Sequence, residues 1–257
     1  MNASPFCDAN LEETKAQLKK LKLEICCLSS GCALRFADKR DENIEELKKY
    51  IALAKELGTP CIRVLGDLTA EPTTDFDDMN VIEPMRILAP IAEEAGVMLL
   101  IETNGVYSDT ARLADVLAQI ASDNVAALWD FNHPYRFNGE TPETTIKNLG
   151  MFIKHVHIKD SVTVDGKTSY RLMGEGDMPI DKMMFALTSI NYEGFVSFEW
   201  IPSWIEEIGD AGIVFPHFIN YMSRFDTEAS QTQLYDNKTK TGKFIWKKES
   251  LINLTNI

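Results

Sequence analysis

The sequence alternates between amphipathic helical segments and short apolar runs, and this alternation restricts the fold more than any other feature. Each helical segment carries apolar residues three and four positions apart, whereas the runs between them are β-prone along most of their length. Such strands separated by helices indicate a parallel sheet covered by helices. Helices are predicted over residues 11–22, 44–57, 80–95, 110–121, 141–149 and 180–190. Strands are predicted over residues 23–29, 61–65, 97–102, 125–130, 151–158 and 195–199.

Acidic or imidazole side chains stand at the ends of four predicted strands. Glu102 ends the third strand, Asp130 the fourth and Glu199 the last. His155 and His157 share one face of the fifth strand, because side chains alternate along a strand. An open doubly wound sheet binds at one switch point, whereas a barrel gathers side chains from many strands at one face. The pattern therefore favours an α/β fold of the (β/α)8 TIM-barrel type.

The paired imidazoles suggest a metal site. One buried structural histidine and one surface histidine would fit the same hexapeptide, so the pair alone leaves both interpretations open. Lys159 and Asp160 follow His157 closely enough to reach the mouth of a pocket. The acidic residues at the other strand ends favour the metal.

Length and charge narrow the classes of function. A chain of 257 residues with 45% hydrophobic residues can bury one large core, and barrels of this size run as one domain. We predict a barrel over residues 1–225 and a polar tail or linker over residues 226–257. The net charge is 26 − 39 = −13, which repels phosphate backbones and anionic membrane surfaces. Nucleic acid and membranes are therefore not expected as partners.

Cysteine usage and the N-terminus indicate a cytoplasmic protein. The five cysteines are odd in number and include no C-x-x-C pair, which is typical of reduced thiols. The N-terminus lacks a basic region followed by an apolar one. No apolar run approaches the roughly 20 residues that span a bilayer.

The strand-end motifs resemble those of the xylose isomerase-like TIM barrels. This superfamily includes sugar phosphate isomerases and epimerases, inosose dehydratases and the endonuclease IV group (AP endonuclease family 2). The resemblance covers about residues 11 to 225. It rests on Ile101-Glu102-Thr103-Asn104, Trp129-Asp130-Phe131-Asn132-His133, His155-Val156-His157-Ile158-Lys159-Asp160, Gly174-Glu175-Gly176-Asp177 and Ser197-Phe198-Glu199-Trp200.

The resemblance implies a divalent metal ion held by one side chain from each of the last four strands. Carried over by position, the ligands are Glu102, Asp130, His157 and Glu199. Successive separations of 28, 27 and 42 residues suit neighbouring barrel strands. Three carboxylates and one imidazole suit Mn²⁺ or Mg²⁺ best, with Co²⁺ or Zn²⁺ also accommodated.

The resemblance also implies the chemistry, which is isomerisation or epimerisation of a small sugar, sugar acid or polyol. Glu102 and Glu199 would move a proton at the carbon next to a carbonyl through an enediolate. An inosose dehydratase-like lyase is the alternative within the fold, and a non-catalytic module of a larger fusion protein is the alternative outside it. Abasic-site cleavage is disfavoured by the −13 charge.

Four further residues are candidates for contact with the substrate. His133 stands where the epimerase-like members carry a substrate-binding histidine, although Pro134 could hold it simply as a loop residue. Arg171 and Glu175 lie in the long connection before the last predicted helix. An arginine there could clamp an oxyanion, and a solvated loop charge fits each position equally well. Trp129 could wall a sugar site or pack in the core.

One departure from the superfamily concerns the strands. Related barrels have eight, whereas this chain begins at what resembles the helix before the third, so about 40 residues would be missing at one βα unit each. Six strands leave two open edges. We expect either that another copy of the chain covers the open edge, as a homo-oligomer, or that the chain is truncated.

Overall fold

The structure is a computed structural model, and it describes residues 5–201 and 210–225. Within these residues six strands form one parallel sheet, and each strand of the sheet pairs with the next one along the chain. The sheet curls into half a barrel, which confirms the predicted α/β barrel type with six strands. Its strands are β1 (Leu28–Ala33), β2 (Cys61–Leu65), β3 (Met98–Glu102), β4 (Val125–Asp130), β5 (Ile153–Ile158) and β8 (Val196–Phe198).

The helices lie mainly between these strands, and their ends follow from local sequence. Helices α2 and α3 end at Gly58 and Gly96, which take the left-handed φ angles of 68° and 70° that glycine adopts without strain. Asp109 and Thr141 accept backbone N–H groups at the starts of α4 and α6. The helices are α1 (Leu11–Leu21), α2 (Arg40–Leu57), α3 (Met79–Ala95), α4 (Thr110–Ile120), α5 (Asn132–Asn138), α6 (Pro142–Leu149), α7 (Ile180–Ser189) and α8 (Ala211–Met222).

The first strand lies about five residues later than the predicted span of 23–29, so that prediction was wrong in position. Leu28 pairs with Ile62 near the start of β2, and residues 23–26 therefore have no residue of β2 beside them. They cross the open side of the sheet instead, where Cys26 Sγ lies 3.7 Å from Ser197 Oγ of β8. Cys26 is buried in this position, whereas Leu23 and Ile25 are half-buried and Glu24 is exposed.

The two faces of the sheet have different surroundings. Side chains of one parity, such as Ile62, Ile101 and Val156, belong to the main core cluster that includes residues from the helices. The opposite parity faces the inside of the half-barrel. A smaller apolar cluster lines the lower part of this inner face and consists of Cys27, Cys61, Leu100, Ala126 and Leu128.

The connection between β5 and β8, predicted as a loop, contains a two-stranded antiparallel hairpin. Its strands are β6 (Asp160–Val164) and β7 (Lys167–Arg171). The Asp160 carboxylate then organises the following turn, because it accepts backbone N–H groups from Ser161, Gly174, Gly176 and Met178. A Cβ atom at Gly176 would lie 1.9 Å from Asp160 Oδ1, so this close approach requires glycine.

Two further sequence predictions concern the polar tail and membrane-spanning segments. The predicted tail over residues 226–257 lies outside the described residues. No helix in the described part of the chain is both long and apolar enough to cross a membrane.

Candidate metal centre

Four side chains from four neighbouring strands converge at the upper end of the inner face. One ligand atom each from Glu102, Asp130, His157 and Glu199 lies within 4.8 Å of the other three. All four residues are buried. Parallel pairing explains the convergence, because Asp130 stands beside His157 in the register of β4 and β5, and strand ends of parallel neighbours meet at one edge.

The two histidines of β5 differ in their partners. Within the described residues neither ring nitrogen of His157 has a hydrogen-bond partner. Its Nδ1 lies 3.3 Å from Glu102 Oε1 and 4.0 Å from Glu199 Oε1. His155 Nε2, one step lower on the same face, makes a 2.8 Å hydrogen bond with Ser197 Oγ. Burial, with the neighbouring His157, lowers the pKa of His155 to about 3, so His155 is a neutral core residue.

Arg63 holds the second oxygen of Glu102, and sequence reasoning missed it. Its Nη1 donates to Glu102 Oε2 at 3.3 Å, and its Nη2 donates to the Ser30 carbonyl at 2.9 Å. Burial alone would raise the pKa of Glu102, but the Arg63 charge and His157 outweigh it and hold that pKa well below its usual range. The available signal was an arginine in the middle of an otherwise apolar strand.

Lys159 lies inside the site rather than at its mouth. The residue is 2% exposed, and its ammonium donates to Asp130 Oδ2 at 2.5 Å and to Glu199 Oε2. Burial lowers the pKa of Lys159, and the charges of Asp130 and Glu199 more than reverse this effect and raise it. In turn, burial raises the pKa of Glu199, and Lys159 brings it below the usual value.

Asp130 is held by the start of helix α5, which also carries His133. Asp130 Oδ1 accepts the backbone N–H groups of Asn132 at 2.8 Å and His133 at 3.3 Å. The His133 ring is buried, and its Nε2 lies 3.8 Å from the same oxygen. Burial lowers the pKa of His133. The structure therefore places this predicted substrate contact directly beside the cluster.

The other three predicted substrate contacts are not brought to the cluster. Trp129 lies on the opposite face of β4 from Asp130, buried in the main core with its ring centroid 4.5 Å from that of Phe131. Arg171 donates to Ser169 and Tyr170 of its own strand. Glu175 is exposed in the turn after the hairpin. Alternation along β4 and the unforeseen hairpin explain these placements.

The residues present fit a divalent cation. Three buried carboxylates carry three negative charges, and Arg63 and Lys159 supply two positive ones, so the group keeps a formal charge of −1. An imidazole whose nitrogens lack hydrogen-bond partners within the described chain is a ready ligand, because histidine binds metal through a ring nitrogen. An oxygen-rich shell with one nitrogen suits Mn²⁺ or Mg²⁺ and also accepts Zn²⁺ or Co²⁺.

Sequence comparison identifies relatives that are named as epimerases. It is 26% identical to fructoselysine 3-epimerase of Shigella flexneri over 179 residues, 65% of this chain and 62% of that protein. It is 24% identical to 3-dehydro-D-guloside 4-epimerase of Escherichia coli (strain K12), over 74% and 77% of the two chains. The chain thus spans about three fifths of the length of the first relative.

Comparison with solved structures identifies proteins of the same fold. The crystal structure of the IOLI protein with a bound zinc atom superimposes with a TM-score of 0.71 and 19% identity, covering 85% of this chain and 83% of that one. The family model described as "Xylose isomerase-like TIM barrel" matches residues 2–213, which is most of the sequence. The chain therefore belongs to the family of xylose isomerase-like TIM barrels.

Proposed function

We propose that this protein is a divalent-metal-dependent isomerase or epimerase of a small sugar, sugar acid or polyol. The observation that carries the proposal is the convergence of Glu102, Asp130, His157 and Glu199 within 4.8 Å. Burial disfavours the charged form of a carboxylate, and Arg63 and Lys159 supply only two positive charges for the three carboxylates. A cluster of three such groups beside an imidazole with two unpartnered nitrogens among the described residues is therefore better explained by ligand binding than by stability.

These four residues would hold the metal ion. When bound, such an ion acts as a Lewis acid on a carbonyl oxygen and as a template for the substrate. The protein supplies the remaining features, which are a buried site, two fixed carboxylates and a histidine at the rim. Mn²⁺ and Mg²⁺ are the first candidates, and Zn²⁺ and Co²⁺ are to be tested beside them.

Glu102 and Glu199 are the proposed proton-transfer groups. The sheet order β3-β4-β5-β8 makes them the outermost members of the cluster, on either side of Asp130 and His157. Both pKa values lie below the ordinary range, mainly through Arg63 for Glu102 and Lys159 for Glu199, so both are ionised and able to accept a proton. Removal of a proton next to a carbonyl by one and its return by the other would invert or isomerise the substrate through an enediolate.

His133 is the proposed contact to a substrate hydroxyl. Its Nδ1 is buried and has no hydrogen-bond partner among the described residues. Its Nε2 lies 3.8 Å from Asp130 Oδ1, which keeps the ring at the edge of the cluster. A neutral imidazole in this position can donate one hydrogen bond and accept another.

The relatives support a sugar substrate. The two curated proteins are named as epimerases of a fructose derivative and of a keto sugar, and the IOLI protein was solved with a zinc atom.

Metal binding is the first test. We expect Mn²⁺ to bind with a stoichiometry of one in titration calorimetry and to raise the melting temperature, because a ligand that binds only the folded state stabilises it. No binding of Mn²⁺, Mg²⁺, Co²⁺ or Zn²⁺ would contradict the proposal and favour a non-catalytic module.

Proton chemistry is the second test. We expect the protein with Mn²⁺, incubated in D₂O with a panel of ketoses, aldoses and inososes, to exchange deuterium into the carbon next to the carbonyl of at least one sugar. The chelator-treated protein serves as the control. Loss of water from an inosose without epimerisation would show a dehydratase instead, and metal binding without exchange on any sugar would contradict the assigned reaction.

A further inference from the structure

The ammonium of Lys159 lies between two of the four residues proposed as metal ligands. It donates to Asp130 Oδ2 on β4 at 2.5 Å and to Glu199 Oε2 beyond β8. We infer that Lys159 and the divalent cation compete for the same carboxylate oxygens, so that the metal ion enters by displacing the lysine. This inference rests on the metal site proposed above and concerns how that site is filled.

The partners of Asp130 identify the contested oxygen. Its Oδ1 already accepts two backbone N–H groups, from Asn132 and His133, which form the first turn of α5. These amides belong to the main chain of a helix and do not move aside as a side chain can. Oδ2 is therefore the oxygen that Asp130 can offer to a metal ion, and it is the oxygen that Lys159 holds.

Distance and charge make it unfavourable for the Lys159 ammonium and a metal ion to bind Asp130 Oδ2 at the same time. Oxygen ligands bind Mg²⁺ at about 2.0–2.1 Å, so an ion on Asp130 Oδ2 would stand closer to this oxygen than the ammonium does. Two cations on one carboxylate oxygen repel strongly in a buried site, where the effective dielectric constant is low. The four-carbon stem of lysine allows the ammonium to leave while the backbone of the site stays in place.

Arg63 provides a contrasting case within the same cluster. It binds Glu102 Oε2, while Glu102 Oε1 remains directed at His157 Nδ1 at 3.3 Å. Its other end is anchored to the Ser30 carbonyl. Arg63 can therefore stay paired with Glu102 when a metal ion binds, so removing Arg63 tests the effect of a lost positive charge without removing a competitor.

Titration calorimetry with Mn²⁺ on the full chain tests the inference, using the parent, Lys159→Met and Arg63→Met. We expect Lys159→Met to bind Mn²⁺ about tenfold or more tighter than the parent, which corresponds to about 1.4 kcal/mol. Arg63→Met should show a clearly smaller gain. A weaker or unchanged affinity of Lys159→Met would overturn the inference, because it would mean that Lys159 orients the carboxylates and remains in place. An equal gain in Arg63→Met would overturn it too, because general charge would then explain the result.

Failure of the inference and failure of the metal site are distinguishable. If neither the parent nor Lys159→Met binds Mn²⁺, the metal site itself is contradicted; if the parent binds but Lys159→Met gains nothing, only the exchange is contradicted. Binding by Lys159→Met alone would overturn the inference, because it would mean that the metal ion does not displace Lys159 from the parent site.

A measurement on the parent protein covers the case in which Lys159→Met does not fold. Limited acetylation followed by peptide mass spectrometry reports how accessible the Lys159 amine is, with the exposed Lys20 as an internal control. We expect acetylation of Lys159 to rise several-fold on addition of Mn²⁺ while that of Lys20 stays constant. Acetylation of Lys159 that is unchanged or lower with Mn²⁺ would overturn the inference.

Discussion

The inner face of the half-barrel carries two tiers of side chains that come from the same strands but have different properties. The lower tier consists of Leu100, Leu128, His155 and Ser197, and the upper tier consists of Glu102, Asp130, His157 and Glu199, each two residues later in the chain, with Glu199 directly after β8. His155 is paired with Ser197, whereas His157 has no hydrogen-bond partner among the described residues. The polar groups of the lower tier are therefore hydrogen-bonded to each other, whereas the imidazole of the upper tier is available to a ligand.

The two tiers contribute differently to stability and to function. Buried ion pairs add little net stability because the charges must leave water, so the upper tier, whose carboxylates are paired with Arg63 and Lys159, contributes less to folding than its burial suggests. The lower tier buries apolar area and one satisfied polar pair, which favours folding. Substitutions in the upper tier should therefore remove function with little loss of stability, and substitutions in the lower tier should do the reverse.

The largest expected effect comes from Glu199→Gln in the upper tier. The substitution keeps the shape and removes the charge that binds metal and accepts a proton. Exchange of deuterium into a responsive sugar should fall by about 10²–10⁴-fold, as for other general acid–base groups. Urea denaturation should show a much smaller change in the free energy of unfolding. If the variant exchanges as fast as the parent, Glu199 takes no part in the mechanism.

Leu128→Ala in the lower tier should produce the largest loss of stability. Leu128 is completely buried, and truncating a buried leucine to alanine typically costs about 2–5 kcal/mol of stability. The variant should still bind Mn²⁺ with parental affinity at a temperature where it is folded. Leu68→Ala, at a position that is 59% exposed, is the matched control and should change stability by less than about 0.5 kcal/mol. A large loss of metal affinity in Leu128→Ala would show that the tiers are not separable.

A smaller effect is expected from Ser197→Ala, which leaves His155 Nε2 without its partner. An unsatisfied buried polar group costs about 1–3 kcal/mol, and thermal and urea denaturation should both report it. Deuterium exchange per folded molecule should be unchanged, although Ser197 is two residues from Glu199. Parental stability together with reduced exchange would assign Ser197 to the site rather than to the core.

The smallest effect is expected from Glu175→Gln, which is also the control for Glu199→Gln. Glu175 is an exposed carboxylate in the turn that follows the hairpin, and surface substitutions usually change stability by less than about 0.5 kcal/mol. Exchange should fall by no more than a small factor. A loss comparable to that in Glu199→Gln would mean that this turn closes over the substrate.

Much of this arrangement could be predicted from the sequence. Glu102, Asp130, His157 and Glu199 stand at strand ends, and the rule that parallel strands end at one edge brings them together without knowledge of the coordinates. The predicted helices over residues 44–57, 80–95 and 141–149 agree with α2, α3 and α6 to within a few residues.

The failures have physical causes. The strand β1, Leu-Ser-Ser-Gly-Cys-Ala, consists largely of small and polar residues, so the more apolar segment before it attracted the prediction. The hairpin of β6 and β7 is partly exposed, so it shows no apolar run. Arg63 and Lys159 were not assigned to the cluster, because the local sequence, even the arginine within the apolar strand β2, does not reveal which distant carboxylate pairs with each residue.

The position of Glu199 has a consequence for dynamics. It follows β8, which has three residues and pairs with β5 alone among the described strands, whereas Glu102, Asp130 and His157 belong to strands with neighbours on both sides. Short edge strands fray more readily than interior ones. A cation bound by all four proposed ligands would stabilise the edge strand β8 against the interior strands of the sheet. Hydrogen exchange at Val196–Phe198 would then report metal occupancy.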